Sequence, residues 1–372
     1  MLTAKFIVIH VSKQSMRKRL LVTAALIIGL LAYSWHPVEI AVTTDLPPAE
    51  HSWIRGTEIL SQASTDVGEG SGVDVDSRGN VYFLHRAGLP FNNNGIIAKD
   101  VVFIYDRESG QQIGSWGSGL FMSPHGISIH QDTVWITDVM SNKVMQFDLQ
   151  GQLLASYGRD YPFYLEACLR IRNVLTRLPC WAPGVWYARP TDVEVYDDGS
   201  FVVSDGYRNS RLIRQRADGS VIWTLGSIGR EDGEFHLPHG LTKDRDGNLY
   251  VADRRNARIQ SIDANGQWRF SWSIPELGRP YGLTWAEGHL WVVDAGDSHE
   301  IAGGIARSQL IQLDMQGNVV NRYSAFGNEP GQMDLPHDVA MGLNGELLVA
   351  EIRNLRLQVF HRRRATWIIE TP

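Results

Sequence analysis

"HGLTKDRDGNLYVADRRNARIQSIDANGQWRFSWS", residues 239–273, decides the fold. A short apolar run leads to a turn at Asp246-Gly247-Asn248, a second run ends at Asp253, and another turn falls at Asn265-Gly266. Asp-Gly and Asn-Gly between alternating apolar residues are hairpin signals, because such turns need residues that tolerate positive φ. The stretch therefore predicts four short antiparallel strands. The pattern returns at 125–158, 191–226 and 337–360, and in weaker form at 71–86 ("SGVDVDSRGNVYFLHR") and 281–296 ("YGLTWAEGHLWVVDAG"). An apolar residue recurs at one index: Val73, Ile127, Val193, Leu241, Leu283 and Val339. Six copies spaced roughly 40 to 65 residues apart predict a closed ring of four-stranded blades, an all-β six-bladed β-propeller over residues 60–365.

The repeats resemble NHL repeats. Composition agrees with many short strands and tight turns: 36 glycines, and 12 each of Trp, Tyr and Phe. A formal net charge of -6 and a pI near 6.1 give no electrostatic reason to expect a nucleic-acid partner. Ahead of the repeats, "KQSMRKR" (13–19) precedes the apolar run "LLVTAALIIGLLAYSW" (20–35). A basic stretch followed by an apolar run of about fifteen residues predicts an export signal peptide or an uncleaved membrane anchor over 1–35, with Met16 as an alternative start. The expected location is periplasmic or extracellular. Residues 36–59 read as a linker and 366–372 as a tail. One long excursion, 159–188, interrupts the repeats; it carries a helical period in "LEACLRIRNVLTRL" and both cysteines of the chain, Cys168 and Cys180. In an exported protein, such a close pair predicts a disulfide.

Three repeats begin with Pro-His: "SPHGI" (123–127), "LPHGL" (237–241) and "LPHDV" (335–339). At the index after the proline the six copies offer Ser71, His125, Thr191, His239, Tyr281 and His337, so histidine occupies alternate blades. One repeat position forms a ring about a propeller axis, so these imidazoles stand about 120° apart and converge. Three neutral imidazoles with an open fourth position describe a catalytic zinc site. Pro190 and Pro280 hold the same place without a following histidine, so proline serves the turn into the strand and histidine is the addition. A second index lies where the second strand of each blade ends. Asp138, Asp205, Asp253, Asp294 and Glu351 recur there and are expected to cap turns. The residues that follow vary, and Arg86, Tyr207 and Arg254 are the candidates for chemistry, as fork-shaped cations and a proton acceptor. Asp338, next to His337, would suit a hard cation such as calcium, although Asp192 shares its index.

Together "LHRAG", "PHGISI...WITDV", "PTDVEV...VSDGYRNSR", "LPHGL...VADRRNARIQ" and "DLPHDV" resemble peptidyl-α-hydroxyglycine α-amidating lyase over residues 70–360. The resemblance implies zinc on His125, His239 and His337, catalytic roles for Arg86, Tyr207 and Arg254, and a structural calcium held by Asp338 with the backbone carbonyls of Val73 and Ile127. It also implies a substrate, small molecule or peptide, ending in an α-hydroxyglycine group, cleaved at its C–N bond to an amide and glyoxylate. Arg208 replaces a family cysteine, Leu335 a methionine, and no monooxygenase-like stretch accompanies the repeats. Two alternatives stay open from the residues alone: a lactonase-like metal-dependent hydrolase, and a non-catalytic propeller that binds a protein or envelope component.

Overall fold

The computed structural model describes residues 52–61, 66–160, 162–172, 185–296 and 306–363, together with 49, 64, 178 and 180. The signal or anchor segment read at 1–35 and the tail at 366–372 lie outside these residues. Among the described residues no helix is long and apolar enough to cross a membrane. The chain divides into two compact units, Met1–Glu39 with Tyr161–Trp181, and Ile40–Asp160 with Ala182–Pro372.

The larger unit is a six-bladed β-propeller of four-stranded antiparallel sheets. The innermost strands are Gly70–Val75, Pro124–His130, Asp192–Val195, Pro238–Lys243, Pro280–Ala286 and Pro336–Met341. Each contacts the innermost strand of the next blade, and the first contacts the sixth, so the ring closes. Closure uses a strand the repeat pattern did not reveal. Ile54–Ser61 pairs antiparallel with Arg356–Arg362 as the outer strand of the sixth blade, so the boundary drawn at residue 60 falls inside a strand and part of the expected linker is sheet. Its solvent-facing half leaves a weak alternation, which is why sequence periodicity passes over it.

Packing follows the repeat. Six apolar clusters each join two neighbouring blades, for example Leu84, Val102 and Phe121 with Ile136 and Phe147, or Val203 and Ile213 with Trp135 and Val144. The recurring index residues Val73, Ile127, Val193, Leu241, Leu283 and Val339 are all buried in these clusters. Truncating a fully buried aromatic such as Phe147 would cost about 3–5 kcal/mol, so the stability that fixes the blades lies in these seams and not in the polar axis.

In the smaller unit, Phe163–Arg172 is a helix with Glu166 paired to Arg170 at 2.9 Å, and Cys168 is bonded to Cys180. The helix begins two residues before the expected stretch, whose residues 173–177 lie outside the description.

Candidate metal centre and active site

Backbone geometry brings the histidines to the axis. In blades 2, 4 and 5 the inner strand keeps register up to Pro124, Pro238 and Pro280 and resumes only at Ile127, Leu241 and Leu283. The two residues between, His125-Gly126, His239-Gly240 and Tyr281-Gly282, form a bulge. A bulge bends its strand and re-aims a side chain, here toward the channel. Glycine follows because the neighbouring strand is close: a Cβ on Gly126 would lie 2.6 Å from the Thr191 carbonyl oxygen, and one on Gly240 would lie 2.6 Å from that of Tyr281.

The residue before the proline is left-handed in three blades, Arg189 (φ 63°), Leu237 (φ 63°) and Leu335 (φ 55°). That conformation is disfavoured ahead of proline and for any residue with a Cβ, at a cost of about 1–2 kcal/mol each. The recurring acids offset it. The carboxylates of Asp205, Asp253, Asp294 and Glu351 accept from the backbone N–H of Ala188, His236, Gly278 and Asp334, each two residues ahead of the proline. Asp138 does the same from Met122. These acids are clamps on the loops that carry the histidines. His85 takes the acid's place in blade 1, where its Nδ1 accepts from Ala87 N–H at 3.0 Å.

Each histidine then reaches across to the next blade. Nδ1 of His125 donates to Thr191 O (2.7 Å), that of His239 to Tyr281 O (3.0 Å) and that of His337 to Ser71 O (2.7 Å). With Nδ1 carrying the proton, all three Nε2 atoms are lone-pair donors. The rings stand 4.7–4.8 Å apart, centroid to centroid, and all are buried. Burial pushes their pKa values well below 6.5, and the charges of Arg86 and Arg254 push His125 and His337 the same way, so the imidazoles are neutral. His125 Nε2 accepts from the Tyr207 hydroxyl at 3.0 Å, whereas His239 Nε2 is buried without a hydrogen-bond partner among the described residues. A buried orphan acceptor is costly. A cation shared by three such nitrogens, whose ligand atoms all lie within 4.8 Å of one another, would satisfy it, and three imidazoles are a donor set that fits zinc.

Arg86, Tyr207 and Arg254 occupy one structural position in three blades. Their backbone N–H groups donate to the carbonyls of Glu69 (3.1 Å), Arg189 (3.4 Å) and Leu237 (3.3 Å). Tyr207 reaches that position through one extra residue, Gly206, in the short helix Gly206–Asn209. Arg86 is fully buried; its Nη1 pairs with Glu69 at 2.5 Å, while Nε and Nη2 have no hydrogen-bond partner among the described residues. Phe91 links this cation to the rest of the site: its ring lies 5.2 Å from the Arg86 guanidinium and 5.0 Å from the Tyr207 ring. The Arg254 guanidinium lies 3.8 Å over the Tyr281 ring, and its Nη2 donates to the Tyr281 hydroxyl at 2.5 Å. The site thus holds three convergent imidazoles, a phenol on one of them, and two buried guanidiniums.

Known proteins resemble this chain in sequence and in fold. The NHL repeat family matches residues 235–261. A protein of Caenorhabditis elegans named probable peptidyl-alpha-hydroxyglycine alpha-amidating lyase is 27% identical, covering 80% of this chain and 84% of that one. Peptidyl-alpha-hydroxyglycine alpha-amidating lyase 1 of Drosophila melanogaster is 28% identical over 80% of this chain and 58% of its own length. Over about 80% of its length the chain is thus similar in sequence to proteins named as amidating lyases. A gluconolactonase from Xanthomonas campestris superposes with a TM-score of 0.57 at 15% identity, covering 88% of this chain and 99% of that one, which is a likeness of fold alone.

A layer of carboxylates shares the central cavity with the histidines. Asp192 and Asp338 both line it, together with Ser71, Thr191 and Tyr281. Asp338 accepts from Val73 N–H at 3.0 Å and from Val339 N–H at 2.9 Å; Asp192 accepts from Leu241 N–H at 2.8 Å. Burial raises Asp338 to about 8 and holds Asp192 well above the ordinary range, with the charge of Asp338 adding to the effect. Two acids so short of solvent are the donor chemistry of a hard cation. Val73 is therefore tied to Asp338 directly, and Ile127 packs over the same place, 2.8 Å from where a Cβ on Gly72 would sit. Glu69, Phe91 and Tyr281 were given no role by sequence reasoning. Glu69 and Phe91 lie outside the repeat, while Tyr281 stood at the histidine index, which was the signal available.

Proposed function

We propose that this protein is a metal-dependent carbon–nitrogen lyase that cleaves an α-hydroxyglycine carbinolamide to an amide and glyoxylate. The observation that carries the reading is the convergence of three neutral Nε2 atoms at the propeller axis, with a phenol on one of them and two buried guanidiniums nearby. His125, His239 and His337 would hold zinc through Nε2. When bound, the ion supplies a Lewis-acidic open position that makes a coordinated hydroxyl easier to deprotonate.

The chain's own residues do the rest. Tyr207, set against His125, would serve as the phenolate, its own proton released to solvent beforehand, and take the hydroxyl proton at its phenol oxygen. As the C–O bond becomes a carbonyl, the C–N bond breaks, and its electron pair and a proton go to the departing amide nitrogen. Arg254 would present fixed donors to the carboxylate, and Arg86 to the charge that develops on oxygen. Phe91 packs against both Arg86 and Tyr207. Asp338, with the carbonyls of Val73 and Ile127, would hold a calcium that ties the first, second and sixth blades together.

Imidazole donors favour this reading over the lactonase-like one, whose metal would call for carboxylates, and a binding module has no use for an orphan buried Nε2. The disulfide and the basic-then-apolar stretch at 1–35 support export to the periplasm or beyond, by a cleaved signal or a membrane tether. The test is glyoxylate release from N-benzoyl-α-hydroxyglycine by the zinc-loaded protein. Stoichiometric glyoxylate and benzamide are expected; a hydrolysed lactone with no glyoxylate would favour the second reading.

A further inference from the structure

Three non-histidine residues alternate with the histidines around the axis, and they are not equivalent. The Ser71 hydroxyl donates to Leu84 O, and the Thr191 hydroxyl lies within hydrogen-bond reach of Ser204 O (3.0 Å) and Pro238 O (2.9 Å), so both turn back onto the main chain. Tyr281 instead reaches a charged side chain. Its hydroxyl accepts from Arg254 Nη2 at 2.5 Å and its ring face underlies the guanidinium at 3.8 Å. The same residue's carbonyl accepts from His239 Nδ1, and its ring stands 5.1 Å from the His239 ring and 5.7 Å from that of His337. Tyr281 is buried, and Gly282 beside it has no room for a Cβ, which would lie 2.6 Å from Asp338 Cα. The residue is thus locked on its main-chain side by the ring of blades and on its side-chain side by Arg254.

We propose that Tyr281 is a positioning residue that sets the Arg254 guanidinium for the substrate carboxylate and ties it to the orientation of His239. The inference rests on the reading of Arg254 as the carboxylate-binding group. A stacked, hydrogen-bonded guanidinium has one orientation, and a fork of fixed direction recognises a carboxylate at two points. Without the bond to the Tyr281 hydroxyl, the fork loses one of the contacts that set its direction about the ring normal, and the two donors are aimed less closely at the carboxylate. Tyr281→Phe removes the hydroxyl and keeps the stack, so it isolates the hydrogen bond.

The experiment is a double-mutant cycle on the full chain, read by calorimetric binding of glyoxylate and by turnover. Tyr281→Phe should weaken glyoxylate binding about tenfold and raise KM for N-benzoyl-α-hydroxyglycine by a like factor, the loss expected of one hydrogen bond to a charged group. Zinc content and kcat should stay within about twofold. On the methyl ester, which lacks the carboxylate, the variant and the parent should be equal, a result that a merely structural tyrosine would not give. In an Arg254→Ala background, Tyr281→Phe should add nothing. Losses that add independently, an equal loss on the ester, or a parent that binds no glyoxylate would overturn the inference. A parent that binds glyoxylate, with the predicted coupling, yet releases none from the hydroxyglycine would leave the inference standing and sink the proposed reaction.

Discussion

Asp253→Ala is the sharpest structural perturbation, because one carboxylate holds the loop of His239. Asp253 is fully buried and accepts four hydrogen bonds: from His236 N–H (2.7 Å), Arg258 Nε (2.7 Å), Asn256 Nδ2 (2.8 Å) and Gln260 Nε2 (3.1 Å). Burial raises its carboxyl to about 6 against the pull of Arg258, so above that pH it is a buried ion whose cost is largely offset by its partner. Removing it leaves Arg258, itself buried, with only the carbonyls of Arg230, Glu231 and Glu234. Breaking one side of a buried pair costs about 3–5 kcal/mol. Asp253→Ala should therefore lose about 4 kcal/mol in urea unfolding at pH 7.5 with an unchanged m value, and zinc affinity should fall at least about tenfold because Leu237 and His239 lose their anchor. Adding Arg258→Met should recover roughly half, since no lone charge then remains. A loss below about 1 kcal/mol with zinc affinity unchanged would refute the clamp.

Tyr207→Phe should keep stoichiometric zinc and lower kcat by at least about a hundredfold, measured as glyoxylate release, since it removes only the proposed base; full activity would remove Tyr207 from the chemistry. His85 gives the pH dependence. Its folded pKa is lowered to about 4, chiefly by burial, so below pH 6.5 the unfolded chain takes up a proton that the folded chain refuses. Stability present above pH 6.5 is lost as pH falls toward 4, by up to about 3 kcal/mol, and His85→Asn, which keeps an acceptor for Ala87 N–H, should flatten that limb of a urea-midpoint profile. Cys168 and Cys180 close a short loop, 12 residues apart in sequence, so reducing them should cost at most about 3 kcal/mol, and titration of the unreduced protein should find no free thiol.

Much of this was legible in the sequence because a propeller repeats its chemistry. The Asp-Gly turns and the apolar index mark the blades, and histidine at one index in alternate copies marks the convergent ring. What stayed hidden lies between repeats or across them. The strand Ile54–Ser61 belongs to the sixth blade in space but precedes the first in sequence, so no alignment of copies finds it. The hydrogen bonds that orient the imidazoles end on carbonyls 42 to 266 residues away, and a carbonyl carries no residue signature. The recurring acids read as turn caps; that they clamp the loop ahead of the proline needed the backbone path. Tyr281 was visible as a member of the ring, yet its role depends on Arg254 coming from the neighbouring blade.

The most direct test of the metal-lyase reading is metal analysis of the purified protein beside His239→Ala, with glyoxylate release from N-benzoyl-α-hydroxyglycine followed in both. One zinc per chain is expected in the parent, with its loss in the variant while the blades stay folded, and loss of glyoxylate release with it. A folded parent that takes up no zinc, or a His239→Ala variant that releases glyoxylate at the parent's rate, would contradict it.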